Sequence, residues 1–163
     1  SISDHALNIA EAAQEISEKK ISFSEKGTKE MENLKEAITQ IVDITFDSFQ
    51  NNDPESAYRV QPLEEVIDRI CRRMKEKHAQ RLQKGKCTIA NGYVFNDLVS
   101  EFERVSDHCS NIAIVIVELT GNAMDVHEMS DLLQQEHQHH FEDYFDEYAN
   151  LYLKKADRQL DEA

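Results

Sequence analysis

Tryptophan is absent from this 163-residue chain, and only four glycines and two prolines occur in it. So little turn chemistry excludes a sheet with many tight reversals. Three cysteines, Cys71, Cys87 and Cys109, are an odd number with no C-x-x-C spacing, which fits buried thiols in a reducing compartment better than disulfides. Long apolar runs are missing as well. The longest, IAIVIV at 112–117, is far short of the roughly 18 to 20 residues that span a bilayer, and the start carries no signal-peptide pattern. The chain therefore reads as soluble. Basic residues are scarce, 18 Lys and Arg against 32 Asp and Glu, for a formal net charge of −14. A phosphate backbone or an anionic lipid surface is repelled by such a chain, which excludes nucleic acid as a partner, whereas multivalent cations are drawn in. An anion such as inorganic phosphate binds only where a metal or a local basic group reverses the field.

Among the abundant residues, Ala, Glu, Lys, Leu, Gln and Ile are compatible with helix as a group. Apolar positions step by three and four along most of the chain, which predicts about five helices. The first carries Ile2, Ala6, Ile9, Ala13 and Ile16 and ends near Lys19 and Lys20. The second follows Ser24, with Met31, Leu34, Ile38, Ile41, Thr45 and Phe49 on one stripe, and Asn51 to Pro54 stops it. Pro62 suits a first turn, and Leu63, Ile67, Ile70 and Met74 continue to about Leu82, with Gly85 as the stop. The fourth begins after Asn91 and Gly92, contains the IAIVIV run and breaks at Gly121 and Asn122. A fifth runs from about Met124 to the end, with Leu133, Phe141, Tyr144, Phe145, Tyr148, Leu151 and Tyr152 as an aromatic seam for a core or an oligomer contact. Short connections favour antiparallel neighbours, so the expected fold is a single all-α, antiparallel up-and-down helical bundle over residues 1–163.

One element occurs twice. The segment SDHALNIAE at 3–11 and the segment SDHCSNIA at 106–113 keep Ser, Asp, His, Asn and Ile in order, which signals internal duplication. The later copy pairs Glu103 with Asp107 one helical turn apart, and Glu64 and Asp68 repeat that spacing. The earlier copy keeps Asp4, while its Glu would fall before Ser1, so the chain reads as a piece of something longer. Counting from the turn near Lys84 to Thr88, Asp68 precedes it by about as much as Glu103 follows it. Antiparallel packing then sets the two acid pairs at one height, on the flank of the bundle rather than in its centre. The same counting brings Asp43 and Asp47 level with them, with Asp4 within a turn of Asp43.

Carboxylates gathered in this way repel one another unless a hard cation shares their oxygens. Acids one turn apart are also everyday solvated helix faces, and helix rotation decides between the two readings. His5 and His108, beside the Asp in each copy, point about 100° away from it and read as hydrogen-bonded flank residues. Asn8 and Asn111 extend the acid face. His137, His139 and His140 read as surface, since one E-x-x-H, at Glu136 and His139, falls short of a ferritin-type di-iron set.

The chained motifs LEEVIDRI, HAQRLQKGKC, GYVFNDL and ERVSDHCSNIA closely resemble the second repeat of the PhoU family, and the opening SDHALNIAE resembles the close of its first. The similarity covers about residues 1–115. It implies a PhoU-like bundle in which 1–20 is the last helix of a truncated first repeat, 24–121 a three-helix second repeat and 123–163 an extra C-terminal helix. It also implies E/D-x-x-x-D metal ligands, here Glu64, Asp68, Glu103, Asp107 and the truncated Asp4, holding a divalent or trivalent ion such as iron, zinc or magnesium. Val105 and Ser106 stand where the family usually has Ile and Gly, which leaves the acids untouched. PhoU proteins regulate phosphate uptake and are not enzymes. A similar domain forms the cytoplasmic C-terminal part of bacterial sodium/phosphate cotransporter proteins, and the incomplete first repeat with the extra helix resembles that form. The expected partners are then the transmembrane portion of the same transporter at the cytoplasmic face of the membrane, phosphate through the metal, and a second copy in a homo-oligomer. The alternatives are a stand-alone PhoU-like regulator and a helical adaptor without metal.

Overall fold

Local capping chemistry places the helix boundaries. In the computed structural model, which describes residues 1–121 and 140–161, helix α1 spans Ile2–Glu18 and α2 spans Glu25–Asn51. Lys20, at φ +51°, reverses the chain after α1 while the Ile21 N–H returns to the Ile16 carbonyl at 3.0 Å. Ser24 opens α2 by accepting the Gly27 N–H at 3.1 Å. Asn52 closes it in the left-handed region, which its short amide side chain tolerates. Asp53 then caps a short helix that the periodicity did not show, α3 at Pro54–Ala57.

Helix α4 spans Val60–Gln83, with Pro62 in its first turn and Gly85, φ +65°, beyond its end. Helix α5 spans Ile89–Gly121 and includes the IAIVIV run. It begins before Asn91 and Gly92, because the Thr88 hydroxyl accepts the Asn91 N–H at 3.2 Å and sets the cap there. The last helix, α6, comprises 140–148, a π-helical turn Ala149–Leu153 and Lys154–Asp161. At that turn the Asn33 amide of α2 donates to the Tyr152 carbonyl at 3.0 Å. The expected positions Met124 and Leu133, with Glu136, His137 and His139, lie outside the described residues.

The fold is all-α, with no strand among the described residues, and α5 is its centre. It buries Phe95, Val99, Phe102, Val105 and Cys109 against Leu63, Val66, Ile67 and Ile70 of α4 and Leu34, Ala37 and Ile41 of α2. Helix α1 lies against α5, and α6 covers α2 and α4 with Tyr148 fully buried. Arg59 stacks over the Tyr144 ring at 4.5 Å and Arg69 over Phe145 at 4.6 Å, so two of the seam's five aromatic rings are held by cations of α4 and its approach. Phe49 departs from its expected stripe and stays 62% exposed at the far end of α2. The buried face of α1 is also turned: His5 and Ala12 face inward where Ala6 and Ala13 were expected.

That rotation has a cause. The Glu101 carboxylate of α5, 4% exposed, takes His5 Nδ1 at 2.7 Å and the Asn8 amide at 3.1 Å, and Arg104 holds its other oxygen at 2.8 Å. A buried carboxylate costs several kcal/mol unless it is bonded, so His5 and Asn8 are drawn to it and α1 turns with them. Burial pushes the Glu101 carboxyl up, but the bonds from His5 and Asn8 outweigh it and hold it below the ordinary range. Cys71 and Cys109 are buried free thiols, while Cys87 is half-buried.

Candidate metal centre

Glu64 and Asp68 are one turn apart on α4, and Asp107 projects from the antiparallel α5 beside them. One oxygen from each of the three carboxylates lies within 4.8 Å of the others. Glu64 and Asp68 are half-buried and Asp107 is exposed, which places the group on the flank between the two helices. The position follows from connectivity. Glu64 and Asp107 stand equally far from the turn at Gly85 and Lys86, as do Asp68 and Glu103, so antiparallel packing levels them.

Charge accumulates there without matching compensation. Burial, then Asp68 and Asp107, push the Glu64 carboxyl up to about 7. Asp68 is raised by burial and by Glu103 and Asp107, with Arg72 opposing. Its Oδ1 is buried and has no hydrogen-bond partner. Glu103 is half-buried and bonds to the Lys75 ammonium of α4. Hard cations take several carboxylate oxygens at once, and three carboxylates gathered within 4.8 Å, one of them with an orphaned buried oxygen, supply part of such a donor set.

Of the expected ligands, the fold therefore gathers Glu64, Asp68 and Asp107, and it commits Glu103 to Lys75. Asp4 lies elsewhere: 77% exposed, it accepts from the Ser1 hydroxyl at 2.8 Å at the start of α1. Asp43 and Asp47 are exposed on α2 and are not in the group. Asn8, read as an extension of the acid face, is engaged by Glu101 instead. The rings of His5 and His108 meet at 5.2 Å, tilted by 31°. Glu101, Lys75 and the buried Glu30 were missed by spacing arguments, since each acts through a partner at least 28 residues away.

The fold and this flank define an all-helical domain that presents a carboxylate cluster between two antiparallel helices. The profile of the PhoU domain matches residues 31–116, more than half of the chain. The chain belongs to the PhoU domain family. It is 27% identical over 124 residues to a "Phosphate-specific transport system accessory protein PhoU homolog 1" of Thermotoga maritima, an alignment covering 76% of this chain and 53% of that protein. The chain thus spans about half the length of the curated relative it matches. No solved structure shows a significant match. No helix among the described residues is long and apolar enough to cross a membrane.

Proposed function

We propose that this chain is a regulatory, non-catalytic domain that controls phosphate uptake and binds a divalent or trivalent metal ion through Glu64, Asp68 and Asp107. Glu103 joins them when Lys75 releases it. The observation that carries the metal site is the meeting of Glu64, Asp68 and Asp107, one oxygen of each within 4.8 Å of the others, and the buried, unpartnered Oδ1 of Asp68 adds to it. Membership of the PhoU family, and a relative named as an accessory of a phosphate-specific transport system, support the phosphate role. The ion would neutralise the cluster and offer open positions to phosphate or to a partner's acid.

Within that role we favour a domain attached to a sodium-dependent phosphate transporter, working at the cytoplasmic face of the membrane against the transporter's own spans. Helix α6 supports this, because it lies outside the segment that the family profile matches yet packs on α2 and α4. A separate accessory protein, as the relative's name suggests, is the second reading. Apolar spans encoded upstream of Ser1 would select the first and their absence the second.

The metal is tested by elemental analysis of protein purified without chelator. We expect bound metal in the parent chain and its loss in the Glu103→Ala, Asp107→Ala double variant. Full metal content in that variant would remove both acids from the ligand set.

A further inference from the structure

The loop end of the bundle reverses the sign of the chain's charge. Residues 77–92 hold four basic residues and no acid, and residues 19–30 hold four basic residues against two acids, a local excess of six in a chain of net charge −14. Between these segments lies a cavity of about 250 Å³, walled in part by Ser24, His78, Arg81, Lys86, Thr88 and Asn91. Ligand clefts run from roughly 300 to 1,000 Å³, so this volume suits a small ion rather than a nucleotide. We propose that the cavity binds a small oxyanion of the phosphate class, independently of the carboxylate cluster.

The donors are built into the helix starts. Ser24 Oγ accepts the Gly27 N–H at 3.1 Å, and Thr88 Oγ1 accepts the Asn91 N–H at 3.2 Å. A hydroxyl that accepts in this way keeps its own proton to donate, and both stand at the positive ends of helices, α2 and α5. Arg81 spends two N–H groups on Glu30, at 3.4 and 3.1 Å, which leaves the remainder of its five-donor fork. Lys77 shares the same carboxylate at 3.5 Å, so the three groups together stay positive. Lys86 adds an exposed ammonium at the rim. His78, 2% exposed, stacks on Phe95 with ring centroids 4.8 Å apart, and its Nε2 is buried without a hydrogen-bond partner. Arg81 lies thirteen residues beyond Asp68 on α4, about 20 Å along the helix. The two sites are therefore separate.

The test uses the chelator-treated full chain, so that a failed metal site does not affect the outcome. Calorimetric titration with inorganic phosphate is one arm, and sedimentation with vesicles containing anionic phospholipid is the other. Ser24→Asp with Thr88→Asp keeps both caps, since Asp caps a helix as well as Ser, yet it sets carboxylates where the anion's oxygens would lie. Phosphate binding that weakens by about tenfold or more in this variant, with unchanged circular dichroism, supports a free anion as ligand. Vesicle binding lost in the variant, with no phosphate binding in the parent, supports a lipid headgroup. Binding undiminished in the variant, or none in either arm, overturns the site. Were the double variant to misfold, Lys86→Gln at the exposed rim takes its place, and an unchanged affinity there overturns the site equally.

Discussion

Asp68→Asn is expected to stabilise the chelated protein by about 1 kcal/mol, which in a domain of this size raises Tm by roughly 2 to 4 °C. The same change should weaken metal binding by about a hundredfold. Function sites commonly oppose stability in this way, and the physical cause here is specific. Burial and the charges of Glu103 and Asp107 penalise the ionised Asp68, and asparagine removes the charge while keeping the shape. Differential scanning calorimetry in chelator and metal titration of both proteins check the two signs. A variant that is both less stable and fully metal-competent would show Asp68 to be an ordinary solvated acid.

The pH dependence carries the same signature. Glu64 in the folded chain titrates at about 7 against an ordinary 4.5, so between those values the folded state holds more protons than the unfolded one. Its contribution to stability is therefore largest below about 4.5 and lost as pH rises to about 7. His78, lowered chiefly by burial, works in the opposite direction as pH falls through the histidine range. Glu101, lowered by its bonds to His5 and Asn8, removes stability only below the ordinary carboxylate range. The clean readout is thus the difference between parent and Glu64→Gln unfolding curves in chelator. That difference should widen from pH 5 to pH 7, and a flat one would place Glu64 in solvent.

Glu30→Ala should cost about 3 kcal/mol or more, the largest single loss expected outside the apolar core. Glu30 is 3% exposed and lies 3.1 Å from Arg81 and 3.5 Å from Lys77, which are themselves only 18% and 15% exposed. Burial already lowers the Lys77 ammonium, and the Glu30 charge is what opposes that effect. Removing the carboxylate leaves two cations in a poorly solvated groove between α2 and α4. Replacing all three with Leu or Met should restore most of the loss, because the desolvation cost disappears along with the pairing. Urea denaturation resolves both effects, and a loss below about 0.5 kcal/mol for Glu30→Ala would mean that water reaches the groove freely.

How far the site was legible depended on the range of the interaction. Glu64 and Asp68 share a helix face by spacing alone, and chain counting about Gly85 levels them with Glu103 and Asp107. What counting could not give was helix rotation, and rotation brought Asp107 into the group while turning Glu103 to Lys75. Asp4 shows the limit of motif copying. Its helix carries the repeated sequence, but its carboxylate is exposed, bonded to the Ser1 hydroxyl, and apart from the group of Glu64, Asp68 and Asp107. The anion cavity had a readable signal, the acid-free basic run at 77–92, although its hydroxyl donors became visible only with the caps in place.

The helices and their order follow from local chemistry, because caps, left-handed stops and the 3.6-residue period act within a turn or two of chain. Ser24, Asn52, Asp53 and Gly85 do this without help from elsewhere. Which side of each helix faces its neighbour is settled by long-range packing. Buried charges such as Glu101 and Glu30 find their partners 50 to 100 residues away and rotate the helices to reach them. Leaving a buried carboxylate unpaired costs more than a few degrees of repacking.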